Sequence, residues 1–153
     1  KNKHDAFDAD FSDGIIKDSY FYFSGNDGAD FSGSNIEIES LVFSNIKDKA
    51  ISVGEASNVK AKNIKILKSN MGLVSKDKSS IIINNIAIDS TDIAMAVFQK
   101  KSEYGPSKIE GKKVALERCK NNFWVEEGSE LIVDYGVIEP NMVNIKSLLY
   151  NEE

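Results

Sequence analysis

The sequence predicts an all-β solenoid, a parallel β-helix of about six coils with a repeat of roughly 22 residues. Three observations predict it. First, Gly28-Ala29-Asp30-Phe31-Ser32 recurs in kind every 22 residues, as Ala50-Ile51-Ser52-Val53-Gly54, Gly72-Leu73-Val74-Ser75-Lys76 and Ala94-Met95-Ala96-Val97-Phe98. Ala6-Phe7-Asp8-Ala9-Asp10 stands one step earlier. Second, every copy alternates. Phe7, Ala29, Ile51, Leu73 and Met95 share one column, and Ala9, Phe31, Val53, Ser75 and Val97 share another two residues on. Period two marks a strand with one buried face. Third, a second apolar set, Ile36 and Ile38 then Leu41 and Phe43, changes phase at Glu39-Ser40. The same change recurs at Lys62-Asn63 and Asn84-Asn85, so two strands meet at a sharp bend.

The first coil spans residues 4–25, with strands expected at 6–11 and 15–23 and Asp13-Gly14 as the turn between them. The second coil, 26–47, repeats this around Ser32-Gly33-Ser34-Asn35. The third, 48–70, carries one extra residue near Glu55-Ala56, and the fourth continues in step with Ile81, Ile83, Ile86 and Ile88. The fifth is interrupted by six extra residues within 99–106 before Ile109, Val114 and Leu116 resume the pattern. Phe123, Val125, Leu131, Val133 and Ile138 form a sixth coil, and Pro140 ends the regularity. The solenoid therefore occupies 4–140, and 141–153 is expected as a tail covering the last coil. Trp124, outward between inward Phe123 and Val125, is expected to meet that tail. A leucine-rich repeat lacks its leucine–asparagine frame here, and the β-branched alternation excludes helical repeats.

Bulk properties exclude several chemistries. The single Cys119 precludes an internal disulfide or a cysteine metal cluster, and the single His4 argues against a histidine metal site or a Ser-His-Asp triad. No apolar run is long enough to span a membrane and no signal segment opens the chain. The repeat begins almost at the first residue, which suggests a piece of a larger protein. Residues 1–55 hold 11 acids and 5 bases, residues 56–120 hold 6 and 13, and residues 121–153 hold 7 and 1. In a solenoid these become three bands along the axis. The basic band is rich in lysine, has Arg118 as its one arginine and lacks aromatic interleaving, so no nucleic-acid partner is expected.

The runs Gly25-Asn26-Asp27-Gly28-Ala29-Asp30-Phe31-Ser32-Gly33-Ser34, Ile51-Ser52-Val53-Gly54-Glu55-Ala56-Ser57 and Gly72-Leu73-Val74-Ser75-Lys76-Asp77 resemble bacterial right-handed parallel β-helix repeat proteins. The likeness covers about residues 5–139 and is closest to β-helix segments beside spore-coat-H-type kinase domains and among surface-polysaccharide proteins. It implies right-handed coiling and a carbohydrate-associated, cell-envelope or extracellular setting. Activity does not follow, because such folds carry many functions.

Stacked columns lie roughly 4.8 Å apart, which makes their charges informative. Lys17, Glu39 and Lys62 alternate in sign, as do Glu37 and Lys60, a structural solution. Asp8 instead stacks on Asp30 with Asp10 beside it, and like charges at that spacing repel by roughly 1 kcal/mol in water and roughly 3 kcal/mol at an effective dielectric of 20. A divalent cation, Ca²⁺ by its preference for oxygen, would relieve Asp8, Asp10 and Asp30; solvation or backbone N–H groups would serve as well. A second cluster gathers where the insertion leaves the coil, with Glu55, Asp77 and Glu103 as substrate-binding candidates. Lys76, Lys100, Lys101 and Tyr104 there are the components of β-elimination on an acidic sugar, base and acid together. β-Helix lyases lend that resemblance, although they usually add an arginine that this corner lacks. Two function classes result: a module that binds or processes acidic polysaccharide, and a non-catalytic scaffold docking onto flanking domains or other subunits.

Overall fold

The computed structural model describes residues 3–150. Ten strands precede one short helix: β1 (Phe7–Asp10), β2 (Asp13–Tyr22), β3 (Ala29–Ser32), β4 (Asn35–Gly54), β5 (Asn58–Lys76), β6 (Ser80–Phe98), β7 (Lys108–Glu117), β8 (Asn121–Val125), β9 (Glu130–Val133), β10 (Gly136–Ile138) and α1 (Ile145–Tyr150). They stack as a parallel β-solenoid of about six turns with a spacing of about 22 residues. The expected columns are the observed register: Phe7, Ala29, Ile51, Leu73, Met95 and Phe123 pair in sequence, as do Ala9, Phe31, Val53, Ser75, Val97 and Val125. β4, β5 and β6 each wrap most of a coil without losing their pairing.

The bends are made by backbone, not by one residue type. Three columns of left-handed residues mark the three corners of a coil. Asp18, Ser40, Asn63, Asn85 and Lys113 form one, and Phe23, Asn45, Lys68, Ser90 and Arg118 form another. The third holds Phe11 and Gly33 singly, then the pairs Glu55-Ala56 and Asp77-Lys78. A non-glycine residue in this conformation costs roughly 1 kcal/mol, and the stacked neighbours offset it by repeating the same turn. The Asn85 amide donates to Asn63 Oδ1 at 2.9 Å. At the third corner a buried serine ladder does the same: the N–H groups of Ser12, Ser34 and Ser57 donate to the Oγ of Ser34, Ser57 and Ser79 at 3.0, 2.9 and 3.1 Å. The extra residue at Glu55-Ala56 moves the register to Asn35↔Asn58, and a shift between Ile46 and Lys49 restores Lys49↔Met71.

Inside the coils lies one continuous core, with Phe31, Phe43, Ile51, Ile66 and Leu73 fully buried and Phe21 stacked on Phe43 at 4.8 Å. A second, smaller apolar cluster lies outside the layer formed by β1, β3, β8 and the C-terminal parts of β4, β5 and β6 (the first sheet), where Met71, Val74, Ile93, Ala96 and Phe98 pack against Ile145, Leu149 and Tyr150 of α1. The tail expected to cover the last coil touches it through the amides of Asn141 and Met142, both donating to Val125 O, and through the Ile145 N–H, which donates to Glu126 Oε2 at 2.9 Å. From there α1 lies on the outer side of the stack. Trp124 packs against the same cluster, which includes Ile145 of the tail. Residues 151–153 lie outside the described residues.

Candidate functional site

The outer face of the first sheet changes character along the axis. Its outward columns begin with Asp8, Asp30 and Ser52, and end with Val74, Ala96 and Trp124. α1 covers the apolar half, and the polar half lies beyond its last residue, Tyr150. Lys49 and Asp27 are buried there. The Lys49 ammonium lies 2.6 Å from Asp48 and 3.5 Å from the buried Asp27, which exerts the stronger electrostatic pull on it. Burial pushes the Asp27 carboxyl up to about 6, and nearby Asp48 adds to this against the pull of Lys49. Burial also opposes the charge on Lys49, but Asp27, Tyr150 and Asp48 outweigh it and keep the amine above its ordinary range.

Lys76 belongs to this face. Its stem lies across Gly54, where a Cβ would come within 2.8 Å of Lys76 Cε, and its ammonium donates to Ser52 Oγ at 2.9 Å. Burial depresses the Lys76 amine below its ordinary value. An amine on a hydroxyl has the makings of an activated nucleophile, yet Ser52 is fully buried and no substrate can reach it. Tyr150 closes the group. The Lys100 ammonium sits 4.2 Å from its ring centroid and that of Lys49 5.7 Å, in cation–π geometry. Burial, with Asp48, Asp27 and Asp77 behind it, pushes the phenol up to about 12.

The insertion distributes the expected catalytic residues instead of gathering them. Asp77 is fully buried, and its Oδ1 accepts the backbone N–H groups of Lys100 and Lys101, both at 2.7 Å. That bond launches the loop and turns consecutive side chains apart: Lys100 to Tyr150, Lys101 to an ion pair with Glu55. Gln99 braces the loop by donating to the carbonyls of Lys101 and Tyr104 at 3.2 and 3.1 Å. Glu103 is exposed in the loop. Lys100 and Lys101 are therefore engaged in holding this corner together, while Tyr104 contributes its carbonyl to Gln99.

Asp8 and Asp30 do stack as expected, and desolvation followed by Asp10, Asp30 and Asp5 raises the Asp8 carboxyl. Among the described residues no group of three or more His, Cys, Asp or Glu side chains is disposed to hold a metal ion, and Asp8, Asp10 and Asp30 share a face without forming one. The sign-alternating column is formed, with Lys17 at 3.2 Å and Lys62 at 3.7 Å from Glu39.

A well-formed concavity lies elsewhere. A groove of about 550 Å³ follows the first bend across four coils, from Asp18 and Tyr20 through Asn63 and Lys65 to Asn85 and Ala87. Left-handed Asp18, Ser40, Asn63 and Asn85 form its crease, because a backbone that turns sharply leaves a re-entrant angle between two strands. Tyr20 stands at its first coil, exposed and stacked on exposed Tyr22 at 5.7 Å and 16°. Sequence reasoning found the bend but not the groove; the signal was the column Tyr20, Val42, Lys65, Ala87, outward beside the asparagines.

No protein-family model, no curated protein and no solved structure matches the chain. The likeness to spore-coat-H-type and surface-polysaccharide proteins finds no support there, and the parallel β-solenoid stands on its own register.

Proposed function

We propose that the chain is a binding solenoid for an extended acidic glycan, in a cell-envelope or extracellular setting, with the bend groove as its site. The groove carries this reading. Its four coils span roughly 14 Å at one strand spacing per step, a length suited to a short oligosaccharide lying along the axis. Tyr20 offers a flat apolar face for a sugar ring. Asn63 and Asn85 offer amide groups, and Lys65 a cation for a sugar carboxylate. Binding is favoured over cleavage because Asp77, Glu55 and Lys101 are committed to the insertion. Titration with oligogalacturonate, followed by calorimetry, tests this: Tyr20→Ala or Lys65→Ala should weaken binding about tenfold each. Absence of binding by the unaltered protein would reject the reading.

A second reading, the docking scaffold, is favoured by the first coil. Among the described residues β1 and β2 pair only with β3 and β4, and Phe11, Ile15 and Phe23 of that coil are exposed. Apolar side chains at the end of the described coils are a surface for a flanking domain or another subunit.

A further inference from the structure

We infer that the groove along the corner of Asn45, Lys68 and Ser90 is a binding site for a tetrahedral oxyanion, a sulfate or phosphate group. The site is separate from the glycan groove and does not rest on it. Left-handed Asn45, Lys68 and Ser90 crease the stack here, as Ser40, Asn63 and Asn85 do at the first bend. The re-entrant angle leaves about 520 Å³, lined by Asn45, Lys47, Lys68, Asn70, Ser90 and Asp92. Its walls come from β4, β5 and β6, strands that are paired on both sides.

This groove holds charge without a partner. Elsewhere the solenoid pairs its lysines: Lys17, Lys49, Lys108 and Lys120 lie 3.2, 2.6, 3.3 and 2.7 Å from a carboxylate. Among the described residues Lys47 and Lys68 have no carboxylate within ion-pair distance. They nevertheless sit on adjacent coils, one beyond each side of the paired Ile46 and Ser69. The acid in the lining, Asp92, is already held by Lys120. Ser90 Oγ donates to Asp89 and the Asn45 amide to Ser44, so those two belong to the wall. The Asn70 side-chain amide has no hydrogen-bond partner among the described residues. Two ammoniums and one amide therefore line a single space with their donors unused. The first-bend groove differs, because it sets Lys65 against Asp18.

The type of donor selects the ligand. A planar carboxylate is matched best by the fork of an arginine, and the groove has none. An ammonium is a point charge with rotatable donors, and a pair of them beside an amide suits an ion whose oxygens diverge from one centre. Sulfate and phosphate have that shape, whether as the free ion or as an ester on a larger molecule.

The test titrates the intact chain with sodium sulfate, sodium phosphate and sodium acetate at constant ionic strength. Binding is followed by NMR of the Asn70 side-chain amide and the Ile46 and Ser69 backbone amides. Both oxyanions should give saturating shifts, at concentrations at least about tenfold below acetate. Lys47→Gln and Lys68→Gln should each weaken sulfate about tenfold. Asn70→Asp, which sets a carboxylate among the lysines, should abolish saturation. Lys78→Gln removes a lysine from another corner and should change nothing. All four side chains are exposed, so melting should stay unchanged in every variant. Sulfated glucose, with glucose as its control, separates the sources. An ester that binds as tightly as free sulfate assigns the groove to a sulfated or phosphorylated molecule, and binding of the inorganic ions alone assigns it to the free oxyanion. No saturating shift with either oxyanion, equal affinity for acetate, or sulfate binding unchanged in Lys47→Gln and Lys68→Gln would each overturn the site.

Discussion

At its C-terminal end the solenoid closes with its own chain: β10 folds back on β9, Asn141 and Met142 bond to the last coil, and α1 runs down the outer side. At the other end, among the described residues, β1 and β2 pair on one side only, and Phe11, Ile15 and Phe23 are exposed. The repeat is the same in both places, so the difference lies in how many interfaces each coil shares. Within the described residues an interior coil is held from two sides and the first coil from one, and stability in such stacks is close to a sum of neighbour terms.

The sharpest way to break this comparison is to truncate one aromatic in each setting. Phe43 is fully buried and stacked on Phe21, so Phe43→Ala should cost about 3–5 kcal/mol in chemical denaturation. Phe7→Ala, at the open end, should cost about 1 kcal/mol or less. Similar losses would mean that the first coil is packed as tightly as the rest.

A smaller effect comes from pH. The folded Asp27 carboxyl lies at about 6 against 3.8 when unperturbed. A raised carboxyl contributes stability that is complete below about pH 4 and lost as pH rises through about 6. A carboxyl displaced that far is linked to at most about 3 kcal/mol of stability, and to less here because Lys49 shares the burial. Asp27→Asn should abolish this slope in thermal melts between those pH values, and an unchanged slope would assign it to other groups.

Smallest is the serine ladder. Ser57→Ala removes the acceptor for the buried Ser34 N–H and should cost about 1–2 kcal/mol. Ser12→Ala should change stability by a few tenths of a kcal/mol, because Ser12 stands exposed at the ladder's open end and its hydroxyl bonds only to Asp10 O. Matching unfolding curves for the two variants would show that the ladder does not discriminate between the ends.

The repeat was legible because burial acts on every coil alike: a column that must be apolar in one coil must be apolar in the next, and 22-residue steps expose it. The first corner was legible through Asn63 and Asn85. The corner of Phe23, Asn45, Lys68, Ser90 and Arg118 was not, since those residues share a backbone angle and no chemistry. α1's place on the outer face had a signal in the passage from Asp8, Asp30 and Ser52 to Val74, Ala96 and Trp124, polar to apolar along one outward column. The candidate site was least legible. Lys100 and Lys101 diverge because Asp77 fixes both of their amides, and that depends on the path of a loop with no repeat to constrain it.

Both insertions into the repeat, the single residue at Glu55-Ala56 and the six within 99–106, fall at the corner lined by the buried serines, while the compensating shift between Ile46 and Lys49 lies elsewhere. Left-handed backbone there lets the chain swing outward and return to the same serine without disturbing a column. For protein engineering, that corner is an insertion port. Foreign loops spliced beside Lys78 or Ala56 would project in a row, one coil apart, from a scaffold whose interior never registers their length.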